Sequence, residues 1–266
     1  MNKILTIIGP TASGKTVLSV ALAKKINGEI ISLDSRQIYR NMAIGTNQPD
    51  ASEKGEIPHH LFEIKDPDEK VTAGEYAKRV FAAVEDIQSR EKRPIICGGA
   101  GLYFRAITKG IFEGSISDLE ARKRLESEYD KKGPDGLLER LKSIDPEYGE
   151  IVHPNNKKRL VRALEIYEAT GKSPSQHFLE QETNQSSKLN LFTIYLDWDR
   201  SILAERIEQR TQKMLNAGWI DEVKSLLIKY PNEHLHALDS IGYRQIISYL
   251  NGDISESGLE NEIILR

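Results

Sequence analysis

The octapeptide Gly9-Pro10-Thr11-Ala12-Ser13-Gly14-Lys15-Thr16 constrains this chain more than any other stretch. It has the spacing of a phosphate-binding loop and lies between a β-branched apolar run, residues 3 to 8, and apolar residues at helical spacing from Thr16 to Lys25. The glycines let the loop curl so that backbone N–H groups converge on phosphate oxygens, and the following helix adds the positive end of its dipole. Lys15 neutralises charge, and Thr16 offers a hydroxyl to magnesium, Mg2+. Gly9 to Thr16 is therefore a candidate cradle for a diphosphate or a nucleotide. A kinase would use it to move a phosphoryl group, an alkyl transferase to stabilise departing pyrophosphate.

The alternation continues. Glu29 to Leu33 reads as a second strand, Ala73 to Arg90 as a helix, Pro94 to Cys97 as a third strand and Gly101 to Lys109 as a further helix, which predicts a parallel sheet covered by helices. After Gly114 the texture changes to charged amphipathic helices without a strand signal, broken at Gly133-Pro134, Asp145-Pro146, His153-Pro154 and Ser173-Pro174. An apolar β-rich run returns at Leu191 to Leu196, followed by helical stretches Ser201 to Asn216 and Trp219 to Lys229. The reading is an α/β fold: a P-loop NTPase-like parallel sheet core, residues 1–114 and 189–266, with a helical insertion domain at 115–188. The polar stretch 183 to 188 reads as the connecting loop back to the core.

With 266 residues, 39% of them hydrophobic, the chain can bury a sizeable core. The opening apolar run is too short for a signal segment and no later stretch approaches a bilayer span, so a cytoplasmic monomer without a membrane partner is expected. A net charge of −3 gives no global attraction to nucleic acid, so an RNA partner needs a local basic surface. The single cysteine, Cys97, excludes an intrachain disulfide and reads as an inert thiol in a buried strand. The six histidines form no metal pattern; His59-His60 and the pair His234 and His236 read as surface or loop residues.

Asp34 follows the second strand, which places it on the sheet edge that carries the P-loop. There it is suited to bind a metal through water or to act as a general base, and equally to cap the next turn together with Ser35. Arg206 and Arg210 stand at i and i+4 on one helix face and can reach a polyanion, although Glu205 and Glu208 offer them a solvated ion-paired surface instead. Lys157, Lys158, Arg159 and Arg162 gather positive charge at one end of a predicted helix in the insertion, as an RNA site or simply as a solvated face.

The P-loop octapeptide, Asp34-Ser35-Arg36-Gln37-Ile38-Tyr39 and Gly98-Gly99-Ala100-Gly101-Leu102-Tyr103 together resemble the tRNA dimethylallyltransferase (isopentenyltransferase) family. Further similarity lies in His153-Pro154-Asn155-Asn156, in Lys158 to Glu165 with Arg159, Leu160, Val161 and Arg162, in Arg206-Ile207-Glu208-Gln209-Arg210 and in Ile241-Gly242-Tyr243-Arg244-Gln245, so it runs from residue 3 to about 250.

The resemblance implies transfer of a dimethylallyl group from dimethylallyl diphosphate to N6 of the adenosine beside the anticodon, with Mg2+ as cofactor and a tRNA anticodon stem-loop as partner. Asp34 would take the N6 proton, while Lys15, Thr16, Arg206 and Arg210 would hold the leaving diphosphate. An adenine inside a stacked loop cannot present N6 to a buried carboxylate, so it must be extruded. Asp34, Ser35, Arg36 and Gln37 would meet that base, with Gln37 reading its edge. The basic insertion helix and Gly242, Tyr243 and Arg244 would contact RNA. One departure is Ala100, where the family usually has threonine; no catalytic role is carried onto it. A small-molecule kinase using ATP, and an RNA-binding module without chemistry, are the competing readings.

Overall fold

The structure is a computed structural model that describes residues 3–109, 118–183, 189–231 and 235–265, with side chains omitted at 181–183. The expected boundary at Gly114, the polar loop from 184 to 188 and His234 lie outside the described residues. The chain divides into two compact units, Met1–Thr108 with Leu189–Arg266, and Lys109–Lys188.

In the first unit, β1 (Ile4–Ile8), β2 (Gly28–Leu33), β3 (His59–His60), β4 (Arg93–Gly98) and β5 (Leu191–Tyr195) form one parallel sheet in the order β3-β2-β4-β1-β5. The interior strands are near-continuous apolar runs because helices cover a parallel sheet on both faces. All six residues of β2 are buried, whereas β5 at the edge has none that is. Ile7, Ile30 and Ile95 pack with Val20 and Ala23 of α1 (Lys15–Ile26), and these five form one core cluster. The remaining early helices are α2 (Ala51–Lys54), α3 (Ala73–Ser89) and α4 (Gly101–Lys109). α3 starts where Thr72 Oγ1 accepts from the Glu75 amide at 3.1 Å, a side-chain cap. Since β1 leads to β2 across the position of β4, the crevice beyond the carboxyl ends of β1 and β4 is the switch point where such sheets bind ligands.

The second unit is helical: α5 (Leu119–Lys132), α6 (Asp135–Ile144), α7 (Pro146–Ile151), α8 (Lys157–Thr170) and α9 (Pro174–Thr183). Leu125, Leu137, Leu141, Leu160, Val161 and Leu164 are buried at its centre. Glu165 is fully buried and is held by Arg122, whose Nε and Nη2 each donate at 3.0 Å. Back in the first unit follow α10 (Arg200–Asn216), α11 (Trp219–Lys229), a 3-10 turn at His236–Leu238, α12 (Tyr243–Leu250) and α13 (Glu256–Ile264). Among the described residues no helix is long and apolar enough to cross a membrane.

The strand β3 was not foreseen: His59 and His60 read as loop residues, yet they pair in parallel with Ile30 and Ile31. Two polar residues carry no strand period, and the pairing depends on Glu29. Its carboxylate is 3% exposed and accepts from Arg90 Nη1 at 2.5 Å, Arg90 Nη2 at 2.8 Å and His60 Nε2 at 2.7 Å. The Arg90 hydrogen bonds hold Glu29 down from 4.5 to about 2, against the opposing effect of burial. A carboxylate depressed in this way contributes stability that is fully present above its unfolded value and lost as pH falls through the folded one. Chemical denaturation of Glu29→Gln should therefore show lower stability than the parent at pH 7, with the two curves converging between pH 4.5 and 2.

Candidate active site

Parallel registration brings three strand ends to one rim. Gly98 pairs with Ile8 on one side and Leu33 on the other, so the residues that follow these strands, Gly9, Asp34 and Gly99, leave the sheet side by side. The approach requires small residues: a methyl group on Gly98 would overlap the Leu33 backbone, and one on Gly99 would lie 3.3 Å from the Gly9 carbonyl oxygen.

The loop from Gly9 to Thr16 turns through left-handed backbone at Ala12 (φ 63°) and Gly14 (φ 89°). Glycine adopts that conformation freely and alanine does not. α1 begins at Lys15 with no side-chain cap, so its first amides are available to an anion. Lys15 Nζ donates to the carbonyls of Gly9 at 3.0 Å and Pro10 at 2.6 Å, which pins the side chain across the loop. Thr11 is exposed, Thr16 half-buried on the first turn of α1, and Ser13 only 2% exposed, with no hydrogen-bond partner for its Oγ among the described residues.

Asp34 sits on the same rim, and its Oδ1 accepts from the amides of Arg36 at 2.8 Å and Gln37 at 3.3 Å. It does cap the next turn, as the competing reading had it, but with one oxygen. The other has no hydrogen bond among the described residues, so the carboxylate is oriented by the turn and still has an acceptor to offer. Burial pushes the Lys15 ammonium below its ordinary value while the Asp34 charge pulls it back up, and the same opposition acts on Arg210. Lys15, Arg210 and Asp34 thus feel one another's charge in one half-buried place. Beneath it the rings of Tyr76 and Tyr103 stack with centroids 4.2 Å apart, Tyr76 Oη donates to the Ser32 carbonyl at 2.6 Å, and burial pushes Tyr103 up to about 12.

Arg206 and Arg210 both come from α10. Among the described residues neither makes an ion pair, so the solvated alternative with Glu205 and Glu208 is not what forms. Arg206 Nε donates to the Ala12 carbonyl at 2.6 Å and its guanidinium lies 4.9 Å from the Trp198 ring centroid. Trp198 Nε1 in turn donates to the Ser13 carbonyl at 3.0 Å. Sequence reasoning missed Trp198. Its only signal is its place just after the last strand, where chain returns to the loop.

Other expectations need correction. Tyr243 is 1% exposed and its hydroxyl donates to Glu222 at 2.7 Å, so its side chain is not on a surface that RNA can touch. Gly242, at φ 89°, is packed so closely that an added methyl would overlap the Trp219 ring. Arg244 is exposed, 3.6 Å from Asp239. Arg36 donates to the carbonyls of His236 at 2.6 Å, Ala237 at 3.3 Å and Asp239 at 3.0 Å, which makes it a clamp within the protein. Ser35 is half-buried on the Asp34 turn. The Gln37 amide, expected to read a base, donates to the carbonyls of Thr46 and Asn47 at 3.2 Å each and accepts from Ser32 Oγ at 3.4 Å. Both donors are committed inside the loop. Cys97 is partly buried and packs against the cluster of Ile7, Val20, Ala23, Ile30 and Ile95; burial raises its thiol, and the charges of Lys15 and Asp34 reach it.

In the second unit, Lys158 and Arg159 are exposed on α8 and Arg162 is half-buried, 2.8 Å from Glu165. Lys157 pairs with Asp130 at 2.6 Å. Leu160 and Val161 are core residues at 0% and 2% exposure, so they cannot present side chains to RNA. They were singled out because they lie within a motif, and helical periodicity sends them inward.

The IPP transferase family model matches residues 37–266. The chain belongs to the IPP transferase family. The match begins at Gln37, after the P-loop and Asp34, but likenesses that cover 98% and 100% of the chain include them. A tRNA dimethylallyltransferase of Symbiobacterium thermophilum is 43% identical over 94% of this chain and 77% of its own length, and one of Thermotoga neapolitana is 43% identical over 94% and 80%. The solved full-length tRNA isopentenylpyrophosphate transferase of Bacillus halodurans superposes with a TM-score of 0.70 at 36% identity, covering 100% of this chain and 82% of that one. A eukaryotic dimethylallyltransferase, described as acting on tRNA, superposes with a TM-score of 0.76 at 29% identity, covering 99% and 65%.

Trp198→Ala removes both the hydrogen bond to Ser13 and the ring beneath Arg206. Each such contact is worth about 1 kcal/mol to the fold, so the melting temperature should fall by a few degrees, and the loop and Arg206 that they brace should bind inorganic pyrophosphate more weakly by titration calorimetry.

Proposed function

We propose that this protein transfers the dimethylallyl group of dimethylallyl diphosphate to N6 of the adenosine beside the anticodon in a tRNA anticodon stem-loop, releasing diphosphate. The observation that carries this reading is that the P-loop with Lys15 and the turn-oriented Asp34 leave the sheet on one rim, with Arg206 of α10 bonded to the same loop. The names of the family's members supply the substrates: the relatives are tRNA dimethylallyltransferases, and one solved neighbour is described as acting on tRNA.

The N6 nitrogen attacks C1 of the prenyl group as the C1–oxygen bond breaks, and the electron pair leaves on the pyrophosphate. Asp34 accepts the N6 proton through its second oxygen while the Arg36 and Gln37 amides hold the first. The P-loop amides, Lys15, Arg206 and Arg210 receive the charge that develops on pyrophosphate. Half-burial of Lys15 and Arg210 strengthens that attraction because water screens it less.

Among the described residues no group of three or more His, Cys, Asp or Glu is gathered to hold a metal. A hydroxyl from Thr16 at the start of α1 still fits Mg2+, which takes few protein oxygens and completes its shell with phosphate and water. When bound, it would neutralise diphosphate charge. On this reading the enzyme is a cytoplasmic monomer.

Incubation with undermodified tRNA and labelled dimethylallyl diphosphate, beside a parallel mixture with ATP labelled at the γ-phosphate, should label RNA from the prenyl donor alone. Transfer from ATP alone would establish the kinase instead, and RNA binding without either product the inactive module. Asp34→Asn keeps the oxygen that caps the turn but cannot accept a proton, so kcat should fall by about 10² to 10⁴ with pyrophosphate affinity within a few-fold of the parent. Asp34→Ala should nearly abolish transfer; parental turnover in either variant would remove Asp34 as the base.

A further inference from the structure

The second unit contains a groove of about 390 Å3 between α7, α8 and α9, apart from every residue invoked above for chemistry. Its lining is of two kinds. Tyr148 of α7 and Phe178 of α9 contribute tilted rings with centroids 5.8 Å apart, and Ile166, Ala163 and Pro174 add apolar surface. Lys158, Arg159 and Arg162, from the first two turns of α8, line the same groove beside the positive end of that helix. No acidic residue is among the described residues that line it. Glu165 is buried and pairs with both Arg122 and Arg162.

Aromatic rings and three cations lining one groove match a planar ring that carries phosphate. A duplex stem presents phosphates but no ring faces, and so would leave the rings unused. A single unstacked nucleotide supplies both, and the volume suits one such residue. We propose that this groove takes one unstacked nucleotide of the bound RNA, a position other than the prenylated adenosine, its base against Tyr148 and Phe178 and its phosphate against Lys158, Arg159 and Arg162. The inference rests on the tRNA reading above and adds to it: this groove would read an unpaired base, where a basic helix alone would grip only backbone.

The test uses the whole protein and an anticodon stem-loop RNA in which 2-aminopurine replaces each unpaired position in turn. Two positions should change fluorescence at least two-fold on binding: the adenosine that is prenylated and one more. Phe178→Leu should abolish only the second signal and weaken binding roughly ten-fold, the usual effect of losing a stacked base. Arg159 is exposed, so Arg159→Ala keeps the fold; it should weaken binding about five-fold and lower the salt dependence by about one phosphate contact. RNA that is prenylated with one responsive position, or variants with parental affinity and salt slope, would overturn the groove while leaving the activity standing. Failure of the parent protein to bind or prenylate the RNA would overturn both.

Discussion

Everything chemical in this structure depends on a carboxylate and two cations being kept close in a place that water only half reaches. Lys15 and Arg210 are each destabilised as ions by burial and stabilised by Asp34. Alone, the cations would press against one another, and Arg210 does lower Lys15. A diphosphate entering this field meets partners whose charges are imperfectly compensated, and its binding relieves that imbalance.

The sheet supplies the coordinates for that field. Parallel pairing of β1, β2 and β4 makes Gly9, Asp34 and Gly99 neighbours whatever the intervening chain does, and glycine at 98 and 99 removes the side chains that would hold the strand exits apart. The register is specified by apolar residues on adjacent strands, buried Ile31 opposite buried Ile96 and partly buried Leu5 opposite buried Ile95, so core packing and site geometry are one constraint.

This explains what was legible beforehand. The P-loop, Asp34 and the alternation of strand and helix are local patterns with periods or spacings of their own, and the structure places them on one rim as those patterns imply. Residues whose role comes from distant partners carry no such signal. Gln37 looks like a reader of bases until Thr46 and Asn47 take its amide, and Tyr243 looks like a surface tyrosine in a motif until Glu222 takes its hydroxyl. Leu160 and Val161 share a motif with exposed cations but face inward, since a run of five helical residues must visit both sides. Trp198 and β3 were missed for the same reason: their partners, Ser13 and Glu29, are far away in sequence.

Those distant partners form a second layer beneath the site. Arg36 is fastened to carbonyls some 200 positions later, and Glu222 accepts from the amides of Ile44 at 2.7 Å and Gly45 at 2.9 Å while also holding Tyr243. The segment that leaves Asp34 is thus clamped at both ends by α11, α12 and the turn between them, with Gly242 and Gly45 small so that Trp219 and Tyr243 can close on it. The apolar contacts give this layer its cohesion, and the charge-assisted bonds from Glu222 give it direction. A base must hold its free oxygen within a few tenths of an ångström of the amine it deprotonates, and a turn anchored only to its own strand would not be that stiff. The late helices therefore serve the reaction without meeting the substrate: they fix the backbone whose amides orient Asp34.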